Sequence, residues 1–205
     1  MSGTLVIFVK APIAGRVKTR LGADIGMARA AMLFRLMTAQ TIAAASDGPW
    51  RTMIAIDPPA AIAEYGALWP PRFERLIQSK GDLGRRMTDA FRRAPRGPAV
   101  IIGADAPGLR AVHIRRAFSA LAGNDAVFGP AADGGYWLIG FSGRRVAAGL
   151  FDRVRWSSEH ALADTRANLP ESWRVAELEC LRDIDDSRDL EALGFDAIRR
   201  STARL

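Results

Sequence analysis

Apolar positions in this chain fall into short unbroken runs, separated by longer stretches in which they recur every three or four residues. Leu5-Val6-Ile7-Phe8-Val9, Met53-Ile54-Ala55-Ile56, Ala99-Val100-Ile101-Ile102 and Ala126-Val127-Phe128 are too short for helices and too uniformly apolar for a sheet face open to water. They read as strands, with the Ala99 run central. Phe73 to Ile77, after the Pro70-Pro71 break, and Tyr136-Trp137-Leu138-Ile139 add two more. Between them, Ala28, Ala31, Met32, Phe34, Leu36, Ala39, Ile42 and Ala43 predict one long helix. A turn at Gln78 to Asp82 leads into a helix that stops near Pro95, and Ile114, Ala117, Phe118 and Leu121 share one face of another. A last helix, with Asp186 and Asp189 favouring its N-terminal dipole, runs through Leu193 and Ile198. Strand alternating with helix is the rhythm of an α/β fold.

Composition narrows this picture. At 205 residues, 49% of them hydrophobic, the chain suits one well-buried core and one domain spanning residues 1–205. The formal charge of +7 favours acidic partners such as phosphorylated metabolites. Cys180 is the single cysteine and His113 and His160 the only histidines, which excludes an internal disulfide and the usual zinc site. Any metal is held by oxygen. No signal-type stretch opens the chain and no run reaches eighteen apolar residues, so a soluble cytoplasmic protein is expected.

Chemistry concentrates where strands end. Lys10, Arg16, Lys18 and Arg20 follow the first strand on a segment broken by Pro12 and Gly15, the place where open α/β sheets receive anions. The Ala99 strand delivers Asp105 into a Gly and Pro turn. Asp133-Gly134-Gly135-Tyr136 reads either as a hairpin turn or as a close backbone approach to a ligand. Ser157 or Ser158 reads as a helix N-cap, and His113 as a surface or capping histidine rather than a catalytic one. Asp183 and Asp185 alternate and point the same way if extended. Cations beside carboxylates suit a polyphosphate and its metal: Asp105 and Asp185 as ligands of magnesium, with Lys18 and Arg20 neutralising charge on the departing phosphate. No covalent nucleophile is required.

Phe8-Val9-Lys10-Ala11-Pro12 with Gly15-Arg16-Val17-Lys18-Thr19-Arg20-Leu21, then Gly81-Asp82-Leu83-Gly84-Arg85-Arg86-Met87, Gly103-Ala104-Asp105-Ala106-Pro107, Gly129 to Tyr136, and Asp183-Ile184-Asp185-Asp186 follow one another in the order of the motifs of the DUF2064 proteins. The chain resembles that glycosyltransferase-A-like family along nearly its whole length. The resemblance implies a three-layer α/β/α sandwich of the nucleotide-diphospho-sugar transferase type with a mostly parallel sheet, related to 2-phospholactate guanylyltransferase. It also implies Mg2+ or Mn2+ held by Asp105, Asp183 and Asp185, with Asp105, Lys18 and Arg20 as catalytic residues. Lys10, Gly15, Arg16, Lys18, Arg20, Gly81 and Asp82 would bind the nucleotide and its phosphates, and Asp133, Gly134, Gly135 and Tyr136 the acceptor.

The expected activity is transfer from a nucleotide-activated donor, glycosyl transfer from a nucleoside diphosphate sugar first and nucleotidyl transfer to a small phosphorylated acceptor second. A third expectation is a non-catalytic nucleotide- or nucleic-acid-binding module, drawn from arginines such as Arg85, Arg86, Arg92 and Arg93. Those arginines are scattered and no nucleic-acid motif accompanies them, so nucleic acid is not the expected partner.

Overall fold

The computed structural model describes residues 3–143 and 149–192. Seven strands, β1 (Thr4–Lys10), β2 (Arg51–Asp57), β3 (Glu74–Ile77), β4 (Ala99–Gly103), β5 (Ala126–Pro130), β6 (Tyr136–Phe141) and β7 (Val175–Glu177), form one sheet in the order β3-β2-β1-β4-β6-β5-β7. Neighbours run parallel except for β6, which is antiparallel to both β4 and β5. The helices are α1 (Thr19–Ile25), α2 (Met27–Ala45), α3 (Ala61–Glu64), α4 (Leu83–Arg93), α5 (Ala111–Ala120), α6 (Ala161–Ala167) and α7 (Ser187–Ala192).

The unbroken apolar runs are strands buried on both faces. In β1, Leu5, Ile7 and Val9 join Ile54, Ile56, Val100 and Ile102 on one face, beside Ile42 of α2 and Ile114 of α5. Val6 and Phe8 point the other way, toward Met53, Ile101, Phe128 and Ile139 under Met87 and Phe91 of α4. Helix, sheet and helix thus make three layers around two apolar faces. A third cluster packs Val17, Leu21, Phe34 and Met37 against Ile184 and Leu190, tying α1 and α2 to the last described segment.

The long helix expected over Ala28 to Ala43 is present as α2, and a further short helix, α1, precedes it where a loop was expected. Gly26, at φ +94, separates the two, and α1 begins at Thr19, so Thr19 and Arg20 are helical rather than part of a loop. Asp82 does cap α4, accepting the Arg85 N–H at 2.8 Å. Ser157 and Ser158 do not cap a helix: α6 begins at Ala161, and Ser158 Oγ donates to the Arg155 carbonyl and accepts the His160 N–H within its own turn. Asp186 accepts the N–H groups of Arg188 and Asp189 at the start of α7, as expected. The continuation of that helix through Leu193 and Ile198 lies outside the described residues. Among the described residues no helix is long and apolar enough to cross a membrane.

Candidate active site

Parallel pairing of β1 to β4 brings their carboxyl ends to one edge of the sheet, and with them Lys10, Asp57, Gln78 and Asp105. Reversal of β6 brings its amino end to that same edge. The β5–β6 hairpin turn, Ala131 to Gly135, therefore sits beside Asp105 instead of at the far side of the sheet. Asp133 Oδ1 accepts the Gly135 N–H at 2.8 Å, closing the turn, and Gly134 adopts φ +84. A Cβ at Gly134 would fall on the backbone of Glu159, whose neighbour Leu162 donates its N–H to the Gly134 carbonyl at 3.1 Å. The Asp133-Gly134 turn signal is thus realised, and glycine is required by close approach as well as by backbone angle.

Backbone bonds hang the last acids beside this turn. Leu181 donates to the Pro130 carbonyl and accepts from the Ala132 N–H, each at 3.1 Å. Two residues later the chain alternates: Ile184 is fully buried while Asp183 and Asp185 remain partly exposed on its flanks. Carboxylate oxygens of Asp133, Asp183 and Asp185 all lie within 4.8 Å of one another, a set of hard oxygen donors that fits magnesium or manganese. Asp133, expected on the acceptor side, joins Asp183 and Asp185 in this group; Asp105, also expected among the metal ligands, faces the same cation as Asp185.

That cation is Lys18. Its Nζ donates to Asp105 Oδ2 at 3.1 Å and to Asp185 Oδ1 at 2.7 Å, and its side chain is only 6% exposed. Burial alone would lower its pKa, but Asp105 and Asp185 outweigh burial and the net shift is upward. Lys18 also holds a left-handed backbone, φ 46 and ψ 48, immediately before α1. A non-glycine residue there is strained by roughly 1 kcal/mol or more, so the surrounding contacts must hold it. An ammonium group has three donors, and two of them meet carboxylates here. Asp183 shows the opposite effect: burial first, then Asp133, Asp185 and Asp105, push its carboxyl up to about 6, against the pull of Lys18.

Two cavities adjoin at this edge. The larger, about 670 Å³, is lined by Lys10, Arg16, Lys18, Arg20 and Arg86, with Asp82, Gln78 and Leu83 on its far wall. Gln78 is fixed by donating its amide hydrogens to the carbonyls of Val9 and Ala55. Arg20 is 75% exposed and stands 3.9 Å from Asp185. Gly81, at φ +117, turns the chain into Asp82; Gly15, at φ +77, is exposed on the basic loop. The smaller cavity, about 360 Å³, lies beyond Asp105 and Asp185 and is lined by Asp133, Gly135, Tyr136, Asp183 and Trp156. Trp156 lines both cavities and had no distinguishing sequence signal, standing in an irregular loop. His113 is buried: Nδ1 accepts the Arg110 N–H at the start of α5, and Nε2 lies 3.2 Å from Glu179. Burial lowers its pKa. It caps α5 and lines neither cavity, in keeping with a structural histidine.

Residues 38–158, more than half of the chain, match the family described as "Uncharacterized protein conserved in bacteria (DUF2064)". A structure from Desulfovibrio desulfuricans G20, of a protein whose designation as a nucleotide-diphospho-sugar transferase is itself provisional, superposes with a TM-score of 0.86. The two chains are 32% identical, and the match covers 94% of this chain and 87% of that one. Rv0371c from Mycobacterium tuberculosis H37Rv, solved in complex with manganese, superposes with a TM-score of 0.58 at 18% identity, covering 94% of this chain and 97% of that one. The bifunctional IspDF from Campylobacter jejuni gives a TM-score of 0.61 at 12% identity over 95% of this chain and 55% of that one. The last two likenesses show the fold alone. No curated protein matches the chain. Sequence match and fold agree: the α/β/α architecture is that of the nucleotide-diphospho-sugar transferases, and the chain belongs to the DUF2064 family.

Proposed function

We propose that this protein is a divalent-cation-dependent transferase of one domain that uses a nucleotide-activated donor, with glycosyl transfer from a nucleoside diphosphate sugar as its reaction. The observation that carries this reading is the junction of a cationic cavity with a carboxylate cluster across Asp105 and Asp185. The provisional designation of the Desulfovibrio protein and the manganese bound to Rv0371c are in keeping with it.

In this scheme Lys10, Arg16, Lys18 and Arg20 bind the diphosphate. Gly81 and Asp82 border the nucleoside, and Asp133, Gly134, Gly135 and Tyr136 line the acceptor side. Asp133, Asp183 and Asp185 would hold magnesium or manganese, which when bound adds positive charge beside the departing diphosphate. Asp105 keeps the Lys18 ammonium at the junction between donor and acceptor. As the acceptor attacks the donor carbon, the bond to the diphosphate oxygen breaks and negative charge grows on that oxygen. Lys18 and Arg20 are placed to stabilise it.

The test is a panel of nucleotides and nucleoside diphosphate sugars, with and without Mn2+, read by thermal shift and then by product analysis. Release of nucleoside diphosphate from a sugar nucleotide supports the reading. Pyrophosphate release from a nucleoside triphosphate would replace it with nucleotidyl transfer. Salt-sensitive binding to DNA or RNA with no turnover would replace it with a binding module.

A further inference from the structure

The smaller cavity differs from the larger in what it lacks. Among its described lining residues the only basic side chain is Arg20, which stands at the edge shared with the larger cavity and leans toward Asp185. Its mouth carries Asp105, Asp133, Asp183 and Asp185. The shallow rim beyond adds Glu159, Asp186 and Asp189 against Arg20 and Arg182.

From this acidic mouth the cavity runs down the sheet face that packs under α4, where Ile101 of β4 and Ile139 of β6 form its floor and Phe8, Leu83, Met87 and Trp156 its walls. The Tyr136 hydroxyl on the inner wall is turned to a partner of its own, and Ser157 stands near the carboxylate end. That hydroxyl lies 3.4 Å from Thr165 Oγ1, while the Trp137 indole packs on the opposite face of the sheet and donates to the Glu179 carbonyl at 3.3 Å. Tyr136 instead presents ring surface, edge-on to both Phe128 and Trp156. Leu83 is 41% exposed at the first turn of α4, one of four large apolar side chains so exposed among the described residues. Its exposure is understandable if a ligand covers it.

We infer that the acceptor of this enzyme is a small uncharged hydroxyl compound with an apolar or aromatic body, seated against Leu83, Met87 and Trp156 with its hydroxyl toward the carboxylates. Phosphorylated metabolites are excluded, since a body carrying a phosphate would have to place it past the carboxylates and the metal they would hold, against a floor and walls that carry no cation. The volume of about 360 Å³ fits a single-ring or short aliphatic body. This inference rests on the reading of the larger cavity as the donor site.

The experiment uses the full chain labelled with 13C at its methionine methyl groups. Among the described methionines only Met87 lines this cavity, so its resonance is the local reporter. Benzyl alcohol should shift the Met87 signal saturably at millimolar concentration, and glycerol 3-phosphate should leave it in place at tenfold higher concentration. Leu83→Lys, at an exposed helix position and checked for folding by its unchanged methyl spectrum elsewhere, should weaken benzyl alcohol at least tenfold and admit the phosphate. A Met87 shift with glycerol 3-phosphate in the parent protein, or none with benzyl alcohol, overturns the inference. Titration of UDP and GDP with Mn2+ separates the two readings. Nucleotide binding without an alcohol response defeats only the acceptor assignment. An alcohol response without binding of any nucleotide defeats only the donor assignment.

Discussion

The two cavities share a wall and little else. Among the described residues five basic side chains face the larger and one the smaller, while acids crowd the edge between them and continue along the smaller cavity's rim. Lys10, Arg16, Lys18 and Arg20 of the larger cavity come from the end of one strand and the loop and helix that follow it, in a single stretch of sequence. The smaller is assembled from β1, β4, β6, α4 and the loops near Trp156 and Asp183. Charge in one stretch makes an anion site that survives most distant substitutions. A cavity gathered from many elements has a shape, and hence a selectivity, that depends on the packing of all of them.

The sharpest way to break this contrast is at Lys18, the residue joining both halves. If the proposed transfer is right, Lys18→Met should lower turnover by on the order of 10²–10³-fold, since the charge proposed to meet the leaving oxygen is lost and Asp105 and Asp185 are left facing each other uncompensated. Steady-state kinetics with the donor found by the nucleotide panel check it. At the carboxylate cluster proposed to hold the metal, Asp133→Asn and Asp185→Asn should each weaken Mn2+ about 10²-fold by electron paramagnetic resonance titration, and Asp105→Asn by less than tenfold. Equal losses at Asp133 and Asp105 would restore Asp105 to the ligand set.

Gly134→Ala should destabilise the fold by ~2 kcal/mol in denaturant unfolding, because a side chain at φ +84 also meets the Glu159 backbone. A smaller effect follows from Asp183. With its carboxyl raised to about 6, the folded protein keeps a proton that the unfolded chain gives up near pH 4, so metal-free stability falls as pH rises from about 4 to 6. Melting temperatures in EDTA across that range should decline by a few degrees, and Asp183→Asn should flatten the decline. Smallest of all, Arg20→Met should leave stability within about 0.5 kcal/mol, since an ion pair 75% exposed on the arginine side contributes little, while nucleotide affinity drops about tenfold.

The strand positions were legible because Leu5 to Val9 and Ala99 to Ile102 are buried on both faces and so carry an apolar residue at every position. β7 was not, since Val175, Ala176 and Glu177 make too short a run to stand out, and neither was α3, at four residues. The basic stretch announced its chemistry but not its conformation: nothing in Lys18-Thr19-Arg20 signals a helix starting behind a left-handed lysine. Asp133 was legible as a turn residue, yet its neighbours Asp183 and Asp185 are fifty residues away and meet it only because Leu181 pairs with the β5–β6 turn. Reversal of β6, which places that turn at the site, depends on strand order, and strand order leaves no mark in local periodicity. Trp156 stayed invisible for the same reason.

Close packing of the β5–β6 turn on Glu159 has a consequence for exchanging parts between relatives. Residues 131–135 join two paired strands and so look like a cassette, yet Gly134 leaves no room for the segment behind it to move independently. A graft of this turn from a relative would therefore have to carry two pieces at once, the turn and residues 157–162, as one inherited module.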